Sequence, residues 1–313
     1  GFVLLFGGGE LLVRGAVAVA RRLGLSSLLI GLTVVAAATS APELVVSVNA
    51  ALGGSPDIAL GNVVGSNIFN VLGVLGISAL IAPIVVKPRP LRRDTWFMVG
   101  STVVLALAAL LGRIDGVLGG VLIAGLVGYV VYSYRTELAE ERPTPSAELH
   151  EHEGEEFAGP AHLWASVAYL AAGLAALVVG SQLLVSGATG IARTFGVPEA
   201  IIGLTLVAVG TSLPELATSI MAALRGHSDV AVGNVLGSNI FNALGIIGAT
   251  ALVHPIAVAE RMANVDVWVM VGASLVAVPF LLARGRIGRL AGAAFVVAYT
   301  VYTVLLLGSP AVA

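Results

Sequence analysis

Two glutamates stand in the middle of apolar stretches of the chain, where an ionised side chain is costly. Glu43 ends the motif Thr-Ser-Ala-Pro-Glu, and Glu215 ends the motif Thr-Ser-Leu-Pro-Glu. An ionisable residue inside a membrane span faces the protein interior or a water-filled cavity, and it marks an ion pathway by default. A protonated Glu bonded to a neighbouring helix is the alternative, but it does not explain why one motif surrounds both acids. We therefore predict that both carboxylates are cation ligands.

A proline stands immediately before each acid and predicts a break in the helix. Pro42 and Pro214 lack a backbone N–H, and the ring of a proline clashes with the carbonyl group four residues earlier. We expect the break to release carbonyl groups around Ala36–Thr39 and Ala208–Thr211, next to threonine and serine hydroxyls. Free carbonyls at membrane depth are tolerated where they line a cavity or coordinate an ion. A kink that serves packing alone is the alternative.

A second motif, Gly-Ser-Asn-Ile-Phe-Asn, follows each acid further along the chain. Its serine and its last asparagine are four residues apart, so they share a helix face and offer neutral oxygens to the acids. These residues are Ser66 and Asn70 in one copy and Ser238 and Asn242 in the other. The glycines predict a close approach of helices; they are Gly61, Gly65, Gly233 and Gly237. We expect the remaining amides to bond neighbouring backbone; they are Asn62, Asn67, Asn234 and Asn239.

The candidate ligands are all oxygen donors, with no His or Cys near them in the sequence. Such a set suits hard cations, namely Ca2+, Mg2+ or Na+, rather than zinc or copper. Mg2+ holds its waters tightly, so a flexible cage of many oxygens favours Ca2+. Two carboxylates neutralise one divalent ion, and they can instead hold monovalent cations or protons. That competition is a physical basis for exchange of Ca2+ against Na+ or H+.

The elements that must position these residues are membrane-spanning helices. Of the 313 residues, 58% are hydrophobic and 11% are charged, whereas a soluble domain carries about 25% charged residues. A net charge of −2 gives no indication of nucleic-acid binding, and the absence of Cys excludes disulfides. A helix needs about 20 apolar residues to cross a membrane. The sequence has ten such stretches, at 1–20, 26–51, 58–82, 94–111, 117–134, 162–191, 198–224, 230–253, 266–283 and 289–307.

The positively charged residues predict the orientation of these helices, because Lys and Arg concentrate in cytoplasmic loops. If the N-terminus lies outside, the cytoplasmic loops hold twelve Lys and Arg residues and the outer loops hold three. We therefore expect a multi-pass protein of the cell membrane with both termini outside and the segment 135–160 in the cytoplasm. We also expect that the first helix is not a cleaved signal peptide. Since its counterpart near Trp164 is longer, the natural chain is expected to begin earlier.

The two sets of motifs belong to an internal duplication. Residues 31–70 and 203–242 align without a gap at an offset of 172, with roughly two-thirds of the positions identical. Each half of the chain holds five predicted helices, so the second half enters the membrane upside down. Inverted repeats of this kind are typical of secondary transporters, whose site lies near the midplane where the halves meet. We predict an all-α membrane protein with two inverted five-helix repeats, 1–134 and 161–313, joined by the acidic linker 135–160.

The paired motifs resemble the two α-repeats of the Ca2+/cation antiporter superfamily, on its Na+/Ca2+ exchanger branch. The resemblance spans nearly the whole chain, and it implies that the long outer helices, 1–22 and 162–192, slide to alternate access. It also implies that carbonyl groups of Ala36 and Ala208 line the cation sites around Glu43 and Glu215. The remaining implied ligands are Thr39, Ser40, Ser66, Asn70, Thr211, Ser212, Ser238 and Asn242.

Several alternatives stay open. Some prokaryotic and K+-dependent relatives carry Asp where this chain has Asn242, so dependence on K+ is not favoured. The proton-coupled branch of the superfamily has a different motif without the Thr-Ser-x-Pro-Glu pattern, so the resemblance favours Na+ as the counter-ion. Exchange of Ca2+ for H+, K+-dependent exchange and a passive cation channel are the alternatives, and an enzyme is the least supported class. We expect Ca2+, Na+ and the lipid bilayer as partners, with no cofactor, no nucleic acid and no obligate protein partner. Glu10 and Arg14 are expected to form an ion pair within the first helix.

Overall fold

The described part of the chain is built almost entirely of helices. The computed structural model describes residues 1–54, 56–86, 88–140, 162–195 and 208–307. Helices α1 to α8 span Phe2–Leu23, Ser27–Ile30, Ala36–Thr39, Ala41–Leu52, Pro56–Ile68, Leu75–Ile81, Pro88–Ala109 and Gly116–Glu140. Helices α9 to α15 span Leu163–Thr194, Ala208–Thr211, Leu213–Leu224, Ser228–Ile240, Ile247–Val253, Val267–Val278 and Arg289–Leu307. Turns of π-helix join several of them, at Gly31–Val35, Phe69–Val74, Phe241–Ile246, Met262–Asp266 and Pro279–Ala283.

These helices account for most of the predicted membrane spans. Among the described residues, seven helices are long and apolar enough to cross a membrane, and a bent pair, Ser27–Thr39 with Ala41–Leu52, adds an eighth. Helix α7 has 22 residues, but every 18-residue stretch of it contains Arg92, Arg93 and Asp94. Most of the linker and the first part of the predicted span 198–224 lie outside the described residues. The chain is therefore a multi-pass helical membrane protein.

The predicted breaks are present at both Pro-Glu motifs. Helices α3 and α4 meet at Ser40 and are bent by 43°. Helices α10 and α11 meet in the same way at Ser212, which has φ −90° and ψ 9°. Each proline lies in the first turn of the second helix of its pair, where the missing N–H leaves no hydrogen bond unmade. Glu43 and Glu215 therefore each lie in the first turn of a helix that begins inside a span.

Two short antiparallel strand pairs join the two halves of the chain. Strand β1, Ile84–Val85, pairs with β4, Arg286–Ile287, while β2, Arg113–Ile114, pairs with β3, Ile256–Ala257. The prediction of an all-α chain missed these strands, because two residues are too few to show the alternation that identifies a strand. We refer to the two ends of the bundle as the β1–β4 end and the β2–β3 end.

Glycines allow two helices from opposite halves to pack closely. A Cβ atom added at Gly233 on α12 would lie 2.8 Å from the carbonyl oxygen of Leu28, and one added at Gly237 would collide with the carbonyl of Leu32. The predicted close approach at this pair is confirmed. Residues 200–204, which correspond under the offset of 172 to the stretch 28–32 and so to the expected partner of Gly61 and Gly65, lie outside the described residues.

The long helices α1 and α9 form a second close, antiparallel pair. A Cβ atom added at Gly8 would lie 2.8 Å from the carbonyl oxygen of Gly173. One added at Gly15 would lie 2.8 Å from the backbone nitrogen of Leu170. Later residues of α1 therefore contact earlier residues of α9, as expected for antiparallel helices. The two helices that correspond under the offset of 172 pack directly against each other.

Candidate functional site

The structure brings the two acids to one buried site through reciprocal hydrogen bonds. The Ser212 hydroxyl donates to Oε1 of Glu43 at 2.8 Å, and the Ser40 hydroxyl donates to Oε1 of Glu215 at 3.0 Å. Both acids and both serines have no exposed surface. Each serine lies at the break of its own span. The serine at the break in one repeat therefore hydrogen-bonds the acid of the other repeat. The acids therefore face each other across the boundary between the repeats.

Further predicted hydroxyls surround the acids. The Ser66 and Ser212 hydroxyl oxygens lie within hydrogen-bond distance at 3.2 Å, which ties α5 to the break in the second repeat. Thr39 donates to Oδ1 of Asn234 at 3.1 Å. Thr211 and Ser238 are buried as well. Thr39, Ser40, Ser66 and Ser212 thus lie with the acids in one polar region of an otherwise apolar core.

The carbonyl group of Ala36 is not free in this conformation. It accepts a hydrogen bond from the Ser40 backbone N–H at 3.0 Å, and the Thr39 hydroxyl oxygen lies 3.3 Å from it. Pro42 therefore does not leave this carbonyl without a hydrogen bond in the present conformation, but a carbonyl oxygen has a second lone pair with which it can still coordinate an ion. The break instead places the Ser40 side chain against Glu215. Ala208 begins helix α10, at the corresponding position of the second repeat.

Two asparagines fix the turn of helix that follows each acid. The Asn62 amide donates to the carbonyl of Glu43 at 3.3 Å and to the Ser47 hydroxyl at 3.0 Å. Asn234 makes the corresponding bonds to the carbonyl of Glu215 at 3.3 Å and to Ser219 at 3.1 Å. The prediction that these asparagines bond neighbouring backbone is confirmed. Ser47 and Ser219 were not predicted, although their position four residues after each acid places them on the acid's helix face.

A second pair of asparagines joins the repeats behind the acids. Asn67 donates to the carbonyl of Asn239 at 3.2 Å, and Asn239 donates to the carbonyl of Asn67 at 3.3 Å. Each amide also approaches a buried methionine sulfur, Met270 at 3.6 Å or Met98 at 3.7 Å. The prediction that Asn67 and Asn239 bond backbone groups is also confirmed. They are symmetric under the offset of 172, so the two repeats meet here as equivalent partners.

Several buried oxygens of the site have no hydrogen-bond partner among the described residues. Leaving a buried polar atom unpaired costs about 1–3 kcal/mol, and more for a charged group. Such atoms in a native protein need an explanation, such as an ion that the site binds. The unpaired oxygens are Oε2 of Glu43, Oε2 of Glu215, Oδ1 of Asn70, Oδ1 of Asn242 and Oγ of Ser238. The chemistry that this donor set fits is coordination of a hard cation.

One bond near the site has no counterpart in the first repeat. The Ser181 hydroxyl on α9 donates to the carbonyl of Gly210 at 2.5 Å, one residue before Thr211. The offset of 172 gives Gly9 as the residue of α1 that corresponds to Ser181, and a glycine cannot make this bond. Ser181 belongs to no motif and the offset pairs it with a glycine, so the sequence held no signal for this contact.

Comparisons with known proteins identify the family of this chain. A family model described as sodium/calcium exchanger protein matches residues 1–135 and 165–308. CaxA of Alkalimonas amylolytica is 38% identical over 99% of this chain and 97% of its own length. The sodium/calcium exchanger MaX1 of Methanosarcina acetivorans is 32% identical over 98% of this chain and 96% of its own length. Among solved structures, the sodium-calcium exchanger NCX_Mj superposes with a TM-score of 0.82 at 31% identity, covering 97% of this chain and 96% of that one. The chain therefore belongs to the sodium/calcium exchanger family, whose members are transporters.

Proposed function

We propose that this protein is a secondary antiporter that exchanges Ca2+ for Na+ by alternating access. The observation that carries the proposal is the buried pair of acids from opposite repeats, each bonded to a serine of the other repeat. Both acids retain an unpaired Oε2 among the described residues. A Ca2+ ion neutralises both carboxylates, and Na+ ions can replace it at the same oxygens.

The proposed ligands form a set of oxygens large enough for a calcium ion, which takes about 6–8 oxygen ligands in flexible geometry. Glu43 and Glu215 are central, because they alone bring negative charge to the set. The remaining proposed ligands are Ala36 and Ala208 through their carbonyls, and Thr39, Ser40, Ser66, Asn70, Thr211, Ser212, Ser238 and Asn242 through their side chains. Asn70 and Asn242 are neutral, so the site carries two negative charges and needs no K+ to balance a third.

The strand pairs support a ten-helix arrangement of two inverted repeats. Strand β1 at residue 84 corresponds to β3 at residue 256 under the offset of 172, yet β1 pairs with β4 and β3 pairs with β2. Helix α7 runs from the β1–β4 end to the β2–β3 end, whereas its counterpart α14 runs the opposite way. We assign repeats 1–134 and 161–313, with the linker 135–160 and the β1–β4 end in the cytoplasm and both termini outside.

The packing of α1 supports alternating access. Val13 and Val17 of α1 form a buried cluster with Ala222, Val230 and Ala231 near the β1–β4 end. The corresponding residues at the other end are less enclosed, since Ile58 is 54% exposed and Val185 is half-buried. The region around Val13 and Val230 is thus packed more tightly than the region around Val185 and Ile58, although the offset of 172 makes the two regions equivalent. In our proposal the conformations exchange when α1 and α9 slide, which opens one end as the other closes.

The test is uptake of 45Ca2+ by the purified protein in liposomes. We expect uptake when an outward Na+ gradient is imposed and background uptake when the internal Na+ is replaced by choline. Uptake driven equally well by an outward proton gradient alone would identify a proton-coupled exchanger instead. Ca2+ conductance that is independent of any counter-ion would identify a channel and would contradict the proposal.

A further inference from the structure

An ion pair joins helix α1 of the first repeat to the end of helix α11 of the second. Arg225 caps α11, and its Nε donates to Oε2 of Glu10 at 2.9 Å while its Nη2 lies 2.9 Å from Oε1. One guanidinium thus contacts both carboxylate oxygens, which is the strong, forked geometry of an Arg–carboxylate pair. Nη2 of Arg14 lies 2.6 Å from Oε1 of Glu10, which confirms the ion pair expected within α1.

The two helices that this pair joins have different roles in the proposed exchange cycle. Helix α1 is one of the two sliding helices, whereas α11 carries Glu215 and belongs to the part of the bundle against which they slide. The helices touch next to the pair, since a Cβ atom added at Gly9 would lie 3.2 Å from the carbonyl oxygen of Ala217. Sliding of α1 along α11 therefore has to separate Glu10 from Arg225.

The end of α4 in the first repeat has the same backbone as the end of α11. Gly53 caps α4 with φ −76° and ψ 3°, and Arg225 caps α11 with φ −93° and ψ 10°. The next residue is a glycine with positive φ in both repeats, namely Gly54 at 81° and Gly226 at 75°. The two equivalent helix ends therefore differ in the side chain at the cap and not in the path of the chain.

The sliding helices differ in the same way. The offset of 172 gives Gln182 on α9 as the residue that corresponds to Glu10. Gln182 is exposed in this conformation, whereas the side chain of Glu10 is 17% exposed. In the opposite conformation α9 would approach α4 as α1 now approaches α11, but Gln182 and Gly53 cannot form an ion pair. The repeat thus supplies this ion pair to one of its two conformations and not to the other.

We propose that the Glu10–Arg225 ion pair is a conformational latch, which stabilises the conformation described here relative to the opposite one. The inference rests on the alternating access proposed above. An interaction present in one of two conformations displaces their equilibrium by its own free energy. A partly exposed ion pair with forked geometry provides a displacement of about five-fold. The β1–β4 end is therefore closed for more of the time than the duplication alone would give.

The experiment follows the reaction of a buried cysteine with N-ethylmaleimide in the purified full chain in detergent. Val230 has no exposed surface, so Val230→Cys should react only while the β1–β4 end is open. When opening is fast relative to the reaction, the rate is proportional to the population of the open form. We expect Glu10→Gln to raise this rate about five-fold. Ile58→Cys, at the equivalent position of the other end, is the reactivity control because Ile58 is already 54% exposed; its rate should stay within a factor of two.

A second change separates a latch from a local loosening of α1. Gln182→Glu together with Gly53→Arg supplies the missing ion pair at the other end and leaves Glu10 and Arg225 as they are. An arginine is compatible with the backbone at Gly53, because Arg225 has nearly the same φ and ψ. The double variant should stabilise the opposite conformation and raise the rate of Val230→Cys about five-fold. Gln182→Glu alone and Gly53→Arg alone are the matched controls, and each should leave the rate within a factor of two.

Two results would overturn the latch. An unchanged rate of Val230→Cys in the Glu10→Gln variant would show that the ion pair does not favour this conformation. An increase in that variant without an increase in the double variant would show that Glu10→Gln only loosens α1 locally. Either result, obtained while 45Ca2+ uptake still follows the Na+ gradient, would leave the antiporter proposal intact. Uptake that ignores Na+ would instead contradict the antiporter, whatever the labelling rates are.

Discussion

Each acid of the proposed cation site depends on residues from both repeats. The hydroxyl that bonds Glu43 comes from Ser212, while the amide that fixes its helix turn comes from Asn62. A charged carboxylate is costly in this apolar core unless donors or a cation compensate it. The hydroxyl compensates one oxygen, and the second oxygen is the one that we assign to the cation. A neutral side chain of the same shape should therefore keep the fold and lose the cation.

We expect Glu43→Gln and Glu215→Gln each to weaken Ca2+ binding by about 30-fold or more. Removing one charge from a buried, paired set costs about 2–5 kcal/mol, and 1.4 kcal/mol is a factor of ten. Isothermal titration calorimetry in detergent measures the affinity, and the exposed Glu260 gives the control variant Glu260→Gln. Affinity within a factor of three of the native value in either variant would remove that glutamate from the site.

The structure explains why position 242 carries an amide and not a carboxylate. It donates to Oδ1 of Asn67 at 3.1 Å, while the Asn67 amide nitrogen is held by the carbonyl of Asn239. An aspartate at position 242 would bring two acceptors together. Asn70, the corresponding residue of the first repeat, has no hydrogen-bond partner for its side chain among the described residues. The two equivalent positions therefore differ in their tolerance of a carboxylate.

We expect Asn242→Asp to lower the free energy of unfolding by about 1–3 kcal/mol more than Asn70→Asp does. Both substitutions bury a new carboxylate at equivalent depth, so the comparison isolates the lost hydrogen bond and the repulsion with Asn67. Thermal unfolding in detergent, with and without Ca2+, measures the difference. Equal destabilisation by the two variants would show that the contact between Asn242 and Asn67 does not contribute.

At the scale of the elements, α1 packs against α11 and α12 at the β1–β4 end of the bundle. The cluster around Val13 and Val230 is fully apolar and buried, whereas the described residues form no such cluster around the equivalent positions Val185 and Ile58. If α1 and α9 slide together, the second cluster should form as the first one opens. The native chain contains no Cys, so cysteine pairs can be introduced without background reaction.

We expect Val13→Cys with Val230→Cys to form a disulfide in the conformation described here. Val185→Cys with Ile58→Cys should form one only in the opposite conformation. Each disulfide should stop 45Ca2+ exchange, and reduction should restore it. The measurement is disulfide yield after mild oxidation, with each single cysteine variant as its control.

The two pairs should also exclude each other. In a chain that carries all four cysteines, formation of one disulfide should prevent the other. A chain in which both disulfides form together, or in which neither affects exchange, would contradict the sliding motion of α1 and α9.

The sequence predicted the elements where a physical rule acts locally. Apolar length predicted the spans, and the missing N–H of Pro42 and Pro214 predicted the breaks. The Glu10–Arg14 pair followed from helical spacing. The strand pairs and the contact of Arg225 with Glu10 could not be predicted, because each joins residues far apart in the chain and neither has a periodic pattern. Spacing also did not reveal that the Ala36 carbonyl is bonded within its own helix.

At the scale of the whole molecule, the duplication explains why the site lies between the halves. Two copies of one sequence meet through equivalent contacts, such as those of Asn67 and Asn239. Each copy brings one acid, and charge neutrality for a divalent ion requires both. In our proposal the same symmetry gives the molecule two equivalent ends, so that a single site is reached from either side of the membrane in turn.

The orientation of the two ends can be tested with the same cysteine-free background. Arg286 in β4 and Ala257 in β3 are exposed and lie at opposite ends of the bundle. With the β1–β4 end in the cytoplasm, Ala257→Cys should react with a membrane-impermeant maleimide in intact cells. Arg286→Cys should react only after the cells are permeabilised, and the native chain should not react at all. The reverse pattern would place the β1–β4 end outside and would invert the orientation that the positive charges predict.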